Sequence, residues 1–165
     1  MHRIDELLEA NERYVAGGGP APSVDGRPTR RFAVVTCMDP RIDVFAVLGL
    51  NVGESMVLRN AGGRITEDVL RSLALATHVL GVDEVIVMQH TGCGLTGVTD
   101  QELQDQTGSD VDFLAIDDHE AALGQDLDVL VSTPYLQGIR VVGGLVYDVT
   151  SGKVQELDRR AREDA

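Results

Sequence analysis

Three short apolar runs, each ending in a polar cluster, constrain this chain more than anything else in it. Residues 32–36 are a short continuous apolar run, as a strand buried on both faces requires, and 55–58 and 84–88 read as the second and third strands. Helical patterns separate them. Residues 42–49 read as a short helix closing near Gly49. A longer helix, capped by Thr66 or the residue before it, carries Glu67 and Asp68 in its first turn and runs to Gly81. Further on, residues 98–110 read as a surface loop or a frayed helix and 117–131 as an acidic helix. Residues 140–147 form a fourth strand broken by Gly143 and Gly144. A turn at 150–152 leads to a short last strand over 153–157. Alternating strands and helices predict an α/β domain on a mostly parallel sheet, whose ligands sit at the carboxyl ends of the strands.

Upstream, residues 2–16 read as an amphipathic helix with Ile4, Leu7, Leu8, Asn11, Tyr14 and Val15 on one broad face. A Pro- and Gly-rich linker follows through Arg30, too short to separate domains. The 165 residues therefore read as one domain with an N-terminal helical arm.

Composition removes whole classes of function. With 14 basic and 27 acidic residues the net charge is −13, which repels nucleic acid and anionic membranes alike. No apolar stretch approaches the roughly 20 residues of a membrane span, and the charged N-terminus lacks a signal-peptide core. A cytoplasmic location is the expectation. Two cysteines, Cys37 and Cys93, do not make a secreted disulfide scaffold, so the thiols need another explanation.

The polar clusters supply one. Cys37, Asp39 and Arg41 follow the first strand. Arg59, Asn60, Ala61, Gly62 and Gly63 follow the second, and His90, Cys93 and Gly94 the third. If the first and third strands are neighbours, Cys37 meets His90 and Cys93. Two thiolates and an imidazole suit Zn²⁺, and three protein ligands with an open fourth position mark a catalytic rather than a structural zinc site. Either cysteine alone would read as ordinary core, and a Cys37–Cys93 disulfide is a further alternative. Asp39 and Arg41 read either as a surface ion pair of little worth or as a charge pair beside the metal. In the second case Asp39 accepts a hydrogen bond from zinc-bound water or binds the zinc itself. His2, His78 and His119 lie far from these clusters in sequence. Two rival motifs deserve weight. Gly92, Gly94 and Gly97 match a dinucleotide-binding fingerprint after a strand. Cys37 and Arg41 share the residue types of a cysteine phosphatase loop, but the spacing is too short to wrap a phosphate.

Taken in order, C-x-D-x-R from Cys37, R-N-A-G from Arg59 and H-x-x-C-G from His90 resemble the β-class carbonic anhydrases, in their compact bacterial and mycobacterial branch. The resemblance runs from the first helix to the closing strand. It departs at Met38 and Pro40, where small polar residues are common, and in a short, acidic segment after Cys93. It implies a parallel four-stranded sheet flanked by helices with an added antiparallel strand. It also implies Zn²⁺ on Cys37, His90 and Cys93, with Asp39 gating the fourth position under the control of Arg41. The implied unit is a homodimer or tetramer. The implied reaction is reversible hydration of CO2 to bicarbonate and a proton by attack of zinc-bound hydroxide. Hydrolysis of carbonyl sulfide or carbon disulfide on the same site is the close alternative, and a non-catalytic zinc-binding or dinucleotide-binding module the distant one.

Overall fold

The computed structural model describes residues 2–20 and 26–162. Five strands form one sheet in the order β2-β1-β3-β4-β5. They are β1 (Phe32–Cys37), β2 (Ser55–Asn60), β3 (Glu84–His90), β4 (Val141–Tyr147) and β5 (Val154–Ala161). The first four are mutually parallel, and β5 returns antiparallel to β4. The helices are α1 (Arg3–Ala16), α2 (Val44–Leu48), α3 (Glu67–His78), α4 (Asp100–Thr107) and α5 (His119–Ser132).

Every residue of β1 is buried, which is why 32–36 is apolar without alternation. One face of the sheet packs Ala33, Val35, Val85 and Val87 against Leu73 of α3 and Leu123 and Leu127 of α5. The other packs Phe32, Val34 and Met88 with Ile42, Val44, Leu95 and Ile116. Both cysteines belong to this second layer. From β1 the chain goes to one side for β2 and then to the other for β3. The reversal leaves a crevice at the carboxyl ends of β1 and β3.

Several boundaries differ from the sequence reading. Strands β2 and β3 run on into their polar clusters, because Arg59 pairs with Thr36, Asn60 with Cys37 and His90 with Tyr147. Residues 100–107 are a formed helix, held at its start by a reciprocal cap. The Thr99 side chain accepts from Glu102 N at 3.2 Å, and the Glu102 carboxylate accepts from Thr99 N at 2.8 Å. The last strand extends to Ala161, since its polar residues ladder along β4. Helix α3 stops at His78, short of Gly81.

The arm has the expected helix, but none of its residues is buried. Ile4, Leu7 and Leu8 are 69%, 64% and 60% exposed. The linker positions 21–25 lie outside the described residues. Among the described residues, no helix is long and apolar enough to cross a membrane.

Candidate metal centre

Cys37 ends β1 and His90 ends β3, and β1 and β3 are paired neighbours. Cys93 follows three residues beyond His90, on a turn where Gly92 adopts φ 63°. The structure therefore brings Cys37, His90 and Cys93 together, all buried, with their ligand atoms within 4.8 Å of one another. The sulfurs are 3.9 Å apart. Two zinc–sulfur bonds of about 2.3 Å at a tetrahedral angle would set them about 3.8 Å apart.

The imidazole is set up in the same way. His90 Nδ1 lies 3.0 Å from the carbonyl of Thr91, an acceptor, so Nδ1 carries the proton and Nε2 carries the lone pair. That Nε2 is buried without a hydrogen-bond partner. An orphaned buried acceptor costs roughly 1–3 kcal/mol, and here it sits among two thiols. Burial pushes the His90 imidazolium down and the Cys93 thiol up, so burial by itself favours neutral groups here. A divalent cation reverses that preference, because it draws thiolate and neutral imidazole together. The donor set, the burial and the spacing all fit one tetrahedral metal ion.

Asp39 and Arg41 stand beside this group. The guanidinium of Arg41 donates from Nε to Asp39 Oδ1 at 2.9 Å and from Nη2 to Oδ2 at 2.6 Å, and the Arg41 backbone N–H donates to Oδ1 at 2.9 Å. These donors hold the Asp39 carboxyl well below the usual carboxylate range. Asp39 Oδ2 is 3.8 Å from His90 Nε2, beyond hydrogen-bond reach. Arg41 also donates to the carbonyl of Gly92 at 2.9 Å, which ties the Cys37 loop to the Cys93 turn.

Arg59 has a role that its motif alone did not disclose. Its guanidinium donates to the carbonyls of Cys37 at 2.9 Å, Asp39 at 2.6 Å and Ile42 at 3.1 Å. Five planar donors let one arginine staple the whole loop. His119 was set aside on sequence distance, yet its ring Nδ1 hydrogen-bonds Gln89 Oε1 at 2.8 Å, one residue from His90. A contact across thirty positions leaves no local signal. The glycines of the dinucleotide fingerprint lie on the turn carrying Cys93, and α4 starts three residues after Gly97. They do not open a helix against a strand, as pyrophosphate binding requires.

An α/β sheet that presents two thiols and an imidazole at adjacent strand ends describes a protein whose Cys37, His90 and Cys93 could hold one metal ion. Comparison with known proteins narrows that class. The family model for carbonic anhydrase matches residues 32–122. Beta-carbonic anhydrase 1 of Mycobacterium tuberculosis is 36% identical over 164 residues, covering 95% of this chain and 99% of that one. The crystal structure of the carbonic anhydrase from Streptococcus mutans superposes with a TM-score of 0.85 at 37% identity, covering 96% and 99% of the two chains. A carbon disulfide hydrolase from Acidianus is 42% identical over 101 residues, covering 61% of this chain and 47% of that one. The chain belongs to the β-class carbonic anhydrases.

Proposed function

We propose that this protein catalyses the reversible hydration of CO2 to bicarbonate on a zinc ion held by Cys37, His90 and Cys93. The observation that carries the reading is the unpartnered, buried Nε2 of His90, facing two thiols at tetrahedral spacing in a chain of this family. Zinc bound there supplies the Lewis acidity that makes water a nucleophile near neutral pH.

The chain's own residues do the rest. Cys37 and Cys93 as thiolates would cancel the charge of a divalent ion, so its water would be acidified less than by three neutral imidazoles. An acceptor beside the ion would offset this, and Asp39, gripped by Arg41 next to the cysteines and His90, would be that acceptor. Held ionised by Arg41, it accepts hydrogen bonds and does not store a proton. The same grip would hold the carboxylate back from a metal bound at Cys37, His90 and Cys93. Without Arg41, Asp39 is free to become a fourth ligand and shut the site. Arg59 and the Arg41–Gly92 bond keep both loops in place while substrate enters.

Metal analysis and stopped-flow CO2 hydration test the reading. About one zinc per chain, with activity lost on chelation and regained on zinc return, supports it. Full activity in metal-free protein overturns it. The carbon disulfide hydrolase similarity favours a second reading, hydrolysis of carbon disulfide or carbonyl sulfide, because both are linear molecules attacked at carbon as CO2 is. Sulfide release by the same zinc-loaded protein measures it.

The exposed apolar face of α1 supports a homodimer, or a tetramer built from dimers, in which each arm covers the other subunit. A net charge of −13 argues against nucleic-acid and membrane partners. Few cysteines and an acidic surface suit a cytoplasmic enzyme whose 165 residues act as one domain.

A further inference from the structure

Behind the candidate centre, on the opposite side of the sheet, lies a chain of polar side chains with no part in the reaction. Successive residues of a strand face opposite ways. His90 therefore points to the cysteines, while the fully buried Gln89 points toward α5. Gln89 Nε2 donates to Asp126 Oδ2 at 3.4 Å, and its Oε1 accepts from His119. Asp126 also accepts from Arg64 Nε at 2.8 Å and from the backbone N–H of Ile65 at 3.1 Å. The Arg64 guanidinium donates further to the carbonyl of Leu114. Arg64 and Asp126 are each 2% exposed.

Burying two charges forfeits their hydration, and an apolar pair of similar volume often serves stability as well or better. What a buried pair does supply is a fixed register between the elements that carry it. Here those elements touch the ligands. Arg64 directly follows the 3-10 turn Ala61–Gly63. Gly63 lies so close to β1 that a Cβ there would come within 2.9 Å of Cys37 N. A Cβ at Gly62 would come within 2.8 Å of Leu95, two residues beyond Cys93. The Asn60 side chain grips Arg64 N at 3.0 Å and Arg64 O at 2.7 Å, closing the turn. Gln89 precedes His90 in β3. One buried carboxylate is thus linked through Arg64 and Ile65 to the turn packed against Cys37 and Leu95, and through the Gln89 side chain to the residue before His90.

We infer that Arg64 and Asp126 are positioning residues for the metal centre, pressing the 61–63 turn and the end of β3 into place so that Cys37, His90 and Cys93 keep the spacing one ion needs. The inference rests on reading those three as metal ligands. Cobalt(II) reports it in the full-length protein, through its ligand-field spectrum and its rate of release to a chelator. Two changes are compared, Asp126→Asn and the apolar double variant Arg64→Met with Asp126→Leu. Both should release cobalt about tenfold faster or more, with weakened tetrahedral bands. The double variant should nonetheless melt near the parent temperature, because no charge stays buried. A double variant matching the parent in spectrum and release rate would mean that the pair only supports the fold, and the inference falls. If the double variant loses its cooperative melt, Gln89→Leu decides: it cuts the link to β3 and leaves the ion pair intact. Faster release then supports the inference and unchanged release overturns it. A parent protein that takes up no cobalt sinks the metal reading itself and this inference with it, whereas a loaded parent with unchanged variants sinks the inference alone.

Discussion

The metal centre and the N-terminal arm break the burial rule in opposite directions. At the strand ends, an unpaired imidazole nitrogen and two thiols sit where water is excluded. Along α1, Ile4, Leu7, Leu8, Tyr14 and Val15 sit where water is everywhere. Sequences are consistent across levels except where function intrudes, and each exception names what completes it. Polar atoms inside call for a cation. Apolar side chains outside, on a helix too short to be stable alone, call for a protein surface. The two regions should therefore fail separately.

The largest effect should come from the centre. Cys37→Ser, His90→Ala and Cys93→Ser should each lose most of the bound zinc and cut CO2 hydration by about 10⁴-fold. Light scattering should show the same mass as the parent, because the arm is untouched. Full zinc content in any of the three, measured by atomic emission, removes that residue from the ligand set.

Next in size is the converse. Leu7→Glu with Leu8→Glu should split the proposed dimer. Fully burying a leucine stabilises by about 1.5–3 kcal/mol, and symmetry doubles the loss, so association should weaken by about 10³-fold or more. Sedimentation would show the halved mass, while zinc content stays near the parent value. An intact dimer means that the arm's apolar face is covered by something else. Loss of zinc along with the dimer would join the two regions and end the comparison as drawn.

A third, smaller effect divides the centre internally. Arg41→Ala should keep zinc but slow hydration by about 10–100-fold, the usual range for a group that orients a ligand. Asp39→Ala should keep zinc too and be slow at every pH, having lost the acceptor. Zinc loss in either would make them ligands in effect, not partners of the ligands.

The same contrast explains what the sequence makes legible. Cys37, His90 and Cys93 were readable because each follows an apolar run, and a buried parallel strand delivers its last residue to a known end of the sheet. The amphipathic period of α1 was readable for the same local reason. Asp126, Arg64 and Gln89 were not, since their contacts span 37 to 62 positions and each residue alone looks like surface polarity. Helix α4 reads from sequence only as a loop or a frayed helix because it has almost no apolar face, although Thr99 and Glu102 spell a capping box. Strand β5 was cut short because Asp158, Arg159 and Arg160 carry no alternation. An edge strand tolerates that, needing only the β4 ladder on one side.

The smallest effect concerns how the loops around the centre are held. Asp100 of α4 accepts from the backbone N–H groups of Phe113 and Ala115, both at 2.7 Å, and of Leu114 at 3.2 Å. Leu114, at φ 55°, is also where Arg64 grips this loop. Those backbone donors, Ala115 first, hold the Asp100 carboxyl below its ordinary value of 3.8. In the unfolded chain the carboxyl takes up its proton near the ordinary value. In the folded chain it resists until lower pH. The stabilisation is therefore complete above about pH 4 and drains away as the pH falls through the folded value. Asp100→Ala should cost about 1–2 kcal/mol at pH 7, or a melting point lower by about 3–6 °C for a chain this size. The difference between parent and variant should hold from pH 7 to 5 and shrink below pH 4. A difference that persists unchanged at pH 2.5 would show that Asp100 acts there through packing rather than charge.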